Sequence, residues 1–178
     1  DVSEQINPTV VVDDDGNLYV FWEDERLGKP MVHYSVSMDN GNSYSSTMIL
    51  SDSVIGEQRS PDADISPSGD IHVAWRDSRD STENYQIYAS KMYKDKNKFD
   101  DPVRVSDVST RYDCKAPSIS VPMDDRVHVV WNDDRVWDED VYLSTSRNGG
   151  VSFEPSIRVS ADPTGSDQTD PEVASDED

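Results

Sequence analysis

The sequence holds one cysteine, Cys114, so it cannot close a disulfide within itself, and cysteine gives no reading of compartment. It has no apolar run near the roughly 18 residues that a membrane-crossing helix requires, and no basic-plus-apolar leader opens it. Membrane insertion is therefore not expected. Cations are scarce: 16 Lys and Arg against 37 Asp and Glu give a net charge of −21, which repels a phosphate backbone and sets nucleic acid aside as a partner. A helical period is missing as well. What remains is a chain of 178 residues, 34 % hydrophobic, enough for sheets that keep one wet face per strand.

The acidity has a pattern. Asp outnumbers Glu by 28 to 9, and Asp is the carboxylate that turns favour, because its short side chain reaches nearby backbone amides. A saline surrounding or bound calcium are the other readings. Asp13, Asp15 and Asn17 offer oxygens at alternate positions around Gly16, a spacing like the start of a calcium loop but without a later bidentate Glu. An acidic hairpin turn is the competing reading. Calcium is the one cofactor that the sequence raises.

One stretch is written three times. Residues 126–135 alternate into Trp131, Asp133 and Arg135; residues 18–26 and 71–79 repeat this as Trp22, Asp24, Arg26 and as Trp75, Asp77, Arg79. The tryptophans are 53 and 56 residues apart, the size of a supersecondary unit. Each unit opens at a proline (Pro8, Pro61, Pro117), a residue that a strand tolerates in its first position. A turn of Asp, Gly or Pro leads to the Trp strand, a polar loop to a third strand, and a second turn to a short outer strand. Four short antiparallel strands per repeat predict an all-β fold of β-propeller blades. The boundaries read as a connector over 1–7, blades over 8–55, 56–110 and 111–164, and a connector with the first strand of a fourth blade over 165–178. Propellers close with about four to eight blades. The expected partners are therefore further blades of the same protein or other copies of the chain.

The turn between third and fourth strands has its own signature. Ser37, Asp39, Gly41 and Tyr44 fit Ser-x-Asp-x-Gly-x-Ser/Thr-aromatic, and Ser146, Asn148, Gly150 and Phe153 fit it with Asn for Asp; the second repeat keeps only the aromatic, Phe99. This resembles the Asp-box, or bacterial neuraminidase repeat, of sialidase-like propellers. The chemistry of such a turn is structural: Asp bonds the turn amides, Gly takes a positive φ, and the aromatic is expected to plug the blade's interior. The resemblance implies that these boxes lie on the face away from an active centre, with the ends of the Trp strands on the opposite face.

Sialidases gather three arginines around a substrate carboxylate, which makes Arg26, Arg79 and Arg135 ligand-binding candidates. Against this, a motif repeated in each blade suits architecture, with Asp24, Asp77 and Asp133 holding the arginines. The Arg-Ile-Pro segment of sialidases is absent, and no Tyr with a neighbouring Glu stands out as a nucleophile pair, so no catalytic residue is assigned. His72 and His128 share the strand position of Tyr19 and read as packed strand residues rather than zinc ligands. Trp137 falls outside the repeat; it suits stacking on a sugar ring or covering its own loop. The sequence thus points to an extracellular or cell-surface binding or structural module for glycans or proteins. A glycoside hydrolase whose catalytic residues lie partly elsewhere and a self-assembling surface protein are the rivals.

Overall fold

A computed structural model describes residues 3–51, 56–81, 83–122, 126–160 and 165–176. Among them the chain builds three four-stranded antiparallel sheets, each a propeller blade with its strands in sequence order. The first blade holds β1 (Gln5–Val12), β2 (Leu18–Asp24), β3 (Met31–Ser37) and β4 (Met48–Ile49). The second holds β5 (Gln58–Ile65), β6 (Ile71–Asp77), β7 (Gln86–Met92) and β8 (Val103–Arg104), and the third β9 (Cys114–Ser120), β10 (Val127–Asp133), β11 (Asp140–Ser146) and β12 (Ile157–Arg158). No helix of the described residues is long and apolar enough to cross a membrane. The third-blade hairpin residues Met123, Asp124 and Asp125 lie outside the described residues, as do Asp1, Val2, Asp52, Glu177 and Asp178.

The first strand of each blade starts three residues before its proline, so the connector read over 1–7 already contains strand. Proline sits at the other position a sheet allows it, a bulge. The pairing of β1 with β2 slips between Ile6 and Thr9, and that of β5 with β6 between Arg59 and Asp62. The residue before each proline carries the bend: Asn7, Ser60 and Ala116 take φ of 52°, 51° and 46°, and Asp170 before Pro171 takes 52°. Three of these bends lie in the innermost strands, and Asn7, Ser60, Ala116 and Asp170 together line one shared cavity.

Alternation then decides packing. On one side of β6, Ile71, Val73 and Trp75 join Phe21, Val32 and Tyr34 in a core between the first two blades. The other side contributes Ala74, which with Ile87 and Ala89 meets Ile119, Val127, Val129 and Trp131 of the third blade. Trp75 and Trp131 are fully buried, whereas Trp22, on the uncovered side of the first blade, is only half-buried. The seams repeat too: Gln58, Cys114 and Gln168 each donate a backbone N–H to a carbonyl of the preceding blade, Pro30, Tyr85 and Glu139, at 2.7–2.9 Å. Inner strands are stitched by side chains, Asp62 and Asp64 accepting from the amides of Ile119 and Val121, and Ser118 from Val173. Residues 165–176 lie beside β9 as the innermost strand of a further blade would, joined through side chains rather than a ladder.

The two turns of each blade share one end. A Cβ on Gly16, in the β1–β2 turn, would meet the Asn40 side chain of the β3–β4 turn at 2.6 Å. In that second turn Ser37 Oγ donates to Asp39, which accepts from Ser43 N–H (2.8 Å) and Ser43 Oγ (2.6 Å), while Gly41 takes φ +85°. Asn148 does the same work in the third blade, accepting from Ser146 Oγ and Ser152 N–H, with Gly150 at φ +84°. The aromatic departs from expectation: it fills a gap between blades, not the interior of its own. Phe99 lies edge-on to Phe21 and Tyr34 of the preceding blade, and Phe153 borders Arg104 and Val105 of the second blade. Tyr44, on the uncovered side of the first blade, is consequently 49 % exposed.

Candidate ligand-binding face

The Trp strands end at the opposite face, where Asp24 pairs with Gln5 and Met31 at the start of β1 and β3. Each repeat builds the same clamp there. The indole N–H of Trp22, Trp75 or Trp131 donates to the Asp two residues on, at 2.8–2.9 Å. That Asp also accepts the backbone N–H of its Arg (2.9, 2.8 and 3.2 Å) and a guanidinium N–H from it. Arg26 reaches Asp24 at 2.5 Å, Arg79 reaches Asp77 at 2.5 Å and Arg135 reaches Asp133 at 2.7 Å. Burial works to raise the Asp24 pKa, but the bonds from Arg26 and Trp22 outweigh it and hold the carboxyl far below its usual range. Arg79 and Arg135 also lie over the rings of Tyr88 and Tyr142, 4.4 and 3.8 Å from their centroids. Each of the three arginines is therefore bonded to its own repeat, and Arg79 and Arg135 reach the preceding one as well, donating to Ser51 and Asp107 at 3.3 Å.

A second set of residues on this face comes from positions where the repeats disagree. The residue before the clamp Asp is Glu23, Arg76 or Asn132. Glu23 is buried and accepts from Arg59 Nη1 at 2.5 Å, Ser60 N–H at 3.2 Å and Asn7 Nδ2 at 3.3 Å, joining the first blade to the second. Asn132 donates to Glu139, which Lys115 also reaches at 2.5 Å. Arg76 differs from both. Its guanidinium lies 4.7 Å from the Tyr85 ring centroid, its Nε is buried without a hydrogen-bond partner, and among the described residues it makes no ion pair.

Tyr85 hydrogen-bonds Glu57, and Arg59 Nε donates to both, at 3.1 Å to the hydroxyl and 3.0 Å to the carboxylate. The Tyr85 hydroxyl is the main cause that lowers the Glu57 pKa; Arg59 and the charge of Arg76 add to it. Burial, then the bond to Glu57, raises the pKa of Tyr85 itself. Glu57 and Tyr85 border an open cleft of about 600 Å³ with Lys29, Ser78, Arg79, Asp80 and Glu83. Sequence reading missed this group because Glu57 and Tyr85 lie 28 residues apart. The available signal was the disagreement itself: Tyr85 stands where the other repeats have Pro30 and Glu139.

Among the described residues Trp137 covers nothing: it is 97 % exposed, and its φ is +85°. The reading of this residue as a lid over its own loop is thereby corrected. In the candidate calcium turn, Asp13 accepts the amides of Asp15 and Asn17 at 3.0 and 2.9 Å and the Asn17 side chain at 2.9 Å, while Asp15 lies 3.7 Å from Lys94. Among the described residues no group of three or more His, Cys, Asp or Glu is placed to hold a metal ion. His72 is buried between the second and third blades, near Gly150.

No protein-family model matches the sequence, and no curated protein matches it. Solved structures do match in fold. An ulvan lyase of polysaccharide lyase family PL25 is similar with a TM-score of 0.69 at 11 % identity, over 92 % of this chain and 45 % of that one. The Penicillium chrysogenum alpha-L-arabinanase complexed with arabinobiose gives 0.68 at 13 %, over 94 % and 54 %. The Hadza microbial sialidase Hz136 gives 0.62 at 13 %, over 84 % and 36 %. The chain thus spans about a third to a half of these proteins. At such identities the likeness is one of fold, and the fold it establishes is that of propeller blades.

Proposed function

We propose that this chain is a glycan-binding segment of an extracellular or cell-surface propeller, without catalysis of its own, and that the Trp-strand face takes the ligand. Neighbours in fold include a sialidase, an arabinanase and a polysaccharide lyase, which supports a carbohydrate as the ligand class. The observation that carries the reading is Arg76. In a chain of net charge −21 its guanidinium makes no ion pair among the described residues, while the clamp arginines on the same face are each bonded to a carboxylate. A guanidinium with open donors beside an aromatic ring suits the carboxylate of an acidic sugar. The test is calorimetry with sialyllactose and oligogalacturonate against lactose. Wild-type protein should bind a carboxylated sugar, and Arg76→Ala should lose about 10-fold or more, the worth of a charge-assisted bond. Arg26→Ala should bind as the wild type does. Absence of binding, or binding indifferent to Arg76, would refute the assignment.

A second reading, glycoside hydrolysis, has one observation in its favour: the Tyr85–Glu57 pair. A phenol hydrogen-bonded to an ionised carboxylate has a base at hand, as a nucleophile requires. Turnover of a fluorogenic sialoside by this chain, abolished in Tyr85→Phe, would reverse the ranking.

A further inference from the structure

Trp137 stands where the first blade has a glycine. Gly28 follows its clamp Asp by four residues and closes a turn by donating its N–H to Glu25 at 2.9 Å; Trp137 follows Asp133 by four and donates to Asp134 at 3.2 Å. Their φ angles, +83° and +85°, are the same within a few degrees. Glycine adopts that conformation freely, whereas a bulky side chain there is strained. The second blade shows that the turn does not need it, for Ser81 donates to Ser78 at 3.1 Å and is not among the positive-φ residues. Among the described residues nothing offsets the strain, because Trp137 is 97 % exposed. A large apolar ring has been placed in the least favourable backbone position of its loop and aimed at solvent, an outlier whose benefit must lie outside the folded chain.

We infer that Trp137 is a stacking platform for a neutral sugar ring. The indole offers a flat apolar face to the C–H side of a pyranose or furanose. Of the charged side chains beside it in the loop, Arg135 is taken up by Asp133 and Asp107, which leaves the carboxylates of Asp134 and Asp138 to accept hydrogen bonds from hydroxyls and repel an anionic ring. A neutral polyhydroxylated ligand fits both properties; an acidic sugar or an acidic protein surface does not. The inference shares with the proposed function only the glycan, and it uses no residue of the Arg76 group.

The experiment uses the whole chain with cellohexaose, xylohexaose and arabinohexaose, each to about 1 mM, and reads iodide quenching of tryptophan fluorescence with a thermal melt. At least one oligosaccharide should shield the wild-type indole. Trp137→Gly should abolish the binding, read by calorimetry, and raise Tm by about 2–4 °C through relief of the strain. Trp137→Phe should bind more weakly than the wild type. Failure of all three sugars to bind overturns the inference, as does equal binding by Trp137→Gly. A lower Tm for that variant overturns it too, since the indole would then be part of the packing. Loss in Trp137→Gly with Arg76→Ala unaffected separates this site from the acidic-sugar site.

Discussion

Glu23 and Arg59 join two blades through a 2.5 Å contact in which the glutamate side chain is 1 % exposed and the arginine side chain 25 %. The pair has no counterpart in the next seam, where Arg76 takes the place of Glu23. Removing Arg59 leaves a buried charge held only by Asn7 and the Ser60 amide.

Arg59→Ala is therefore expected to destabilise by about 3–5 kcal/mol, and Glu23→Gln in that background to recover part of the loss, since the uncompensated charge is then gone. Urea denaturation of the two variants checks this. Equal stability of Arg59→Ala and wild type would show that the seam does not depend on the pair.

Trp75→Ala should cost about 3–5 kcal/mol, because a fully buried indole between two sheets leaves a cavity. Trp22→Ala should cost less, since its side chain is half open, and Trp137→Ala should cost nothing measurable in denaturant midpoint. Comparable losses for Trp75 and Trp137 would contradict the packing described above.

Stability should fall with acid through a window set by His72. Burial, and then the nearby Lys91 charge, push its pKa from 6.5 down to about 4, with Asp70 opposing weakly. An unfolded chain takes up this proton near 6.5, while the folded chain resists until about 4. Between those values the unfolded state binds more protons, so the contribution present above the unfolded pKa is lost as pH falls toward the folded one, on the order of 3 kcal/mol. Melts from about pH 7 to about pH 4 should show His72→Asn losing less Tm than the wild type; parallel curves would exclude His72 as the cause.

Calcium at millimolar concentration should produce no thermal shift. Both oxygens of Asp13 already accept from its own turn, and among those donors are the amides of Asp15 and Asn17. A shift abolished by Asp13→Asn would instead establish the site.

The blades were legible because their determinants are local and repeated. Trp22, Trp75 and Trp131 sit in alternating strands, each hairpin carries its turn residues, and the Asp39 box is bonded within seven residues. The bulges were not legible, since Asn7, Ser60, Ala116 and Asp170 share no side-chain type, only the place before a proline. The Tyr85–Glu57–Arg59 group was hidden for a different reason: it depends on which side of a strand meets the next blade. Trp137 was visible as an exception to the repeat, but its meaning needed the φ that equates it with Gly28. The inter-blade place of Phe99 likewise follows from neighbours that a single repeat does not contain.

The second blade is packed on both sides, by Val73 and Trp75 toward the first and by Ala74 and Ile87 toward the third, whereas the first blade is packed on one. Where each unit touches only its neighbours, free energy accrues as a linear sum of units and interfaces, as in a one-dimensional lattice. The second blade can therefore open only by giving up both of its interfaces. Amide hydrogens of β6 and β7 should exchange at the free energy of global unfolding, so the middle repeat reports on its two neighbours as well as on itself.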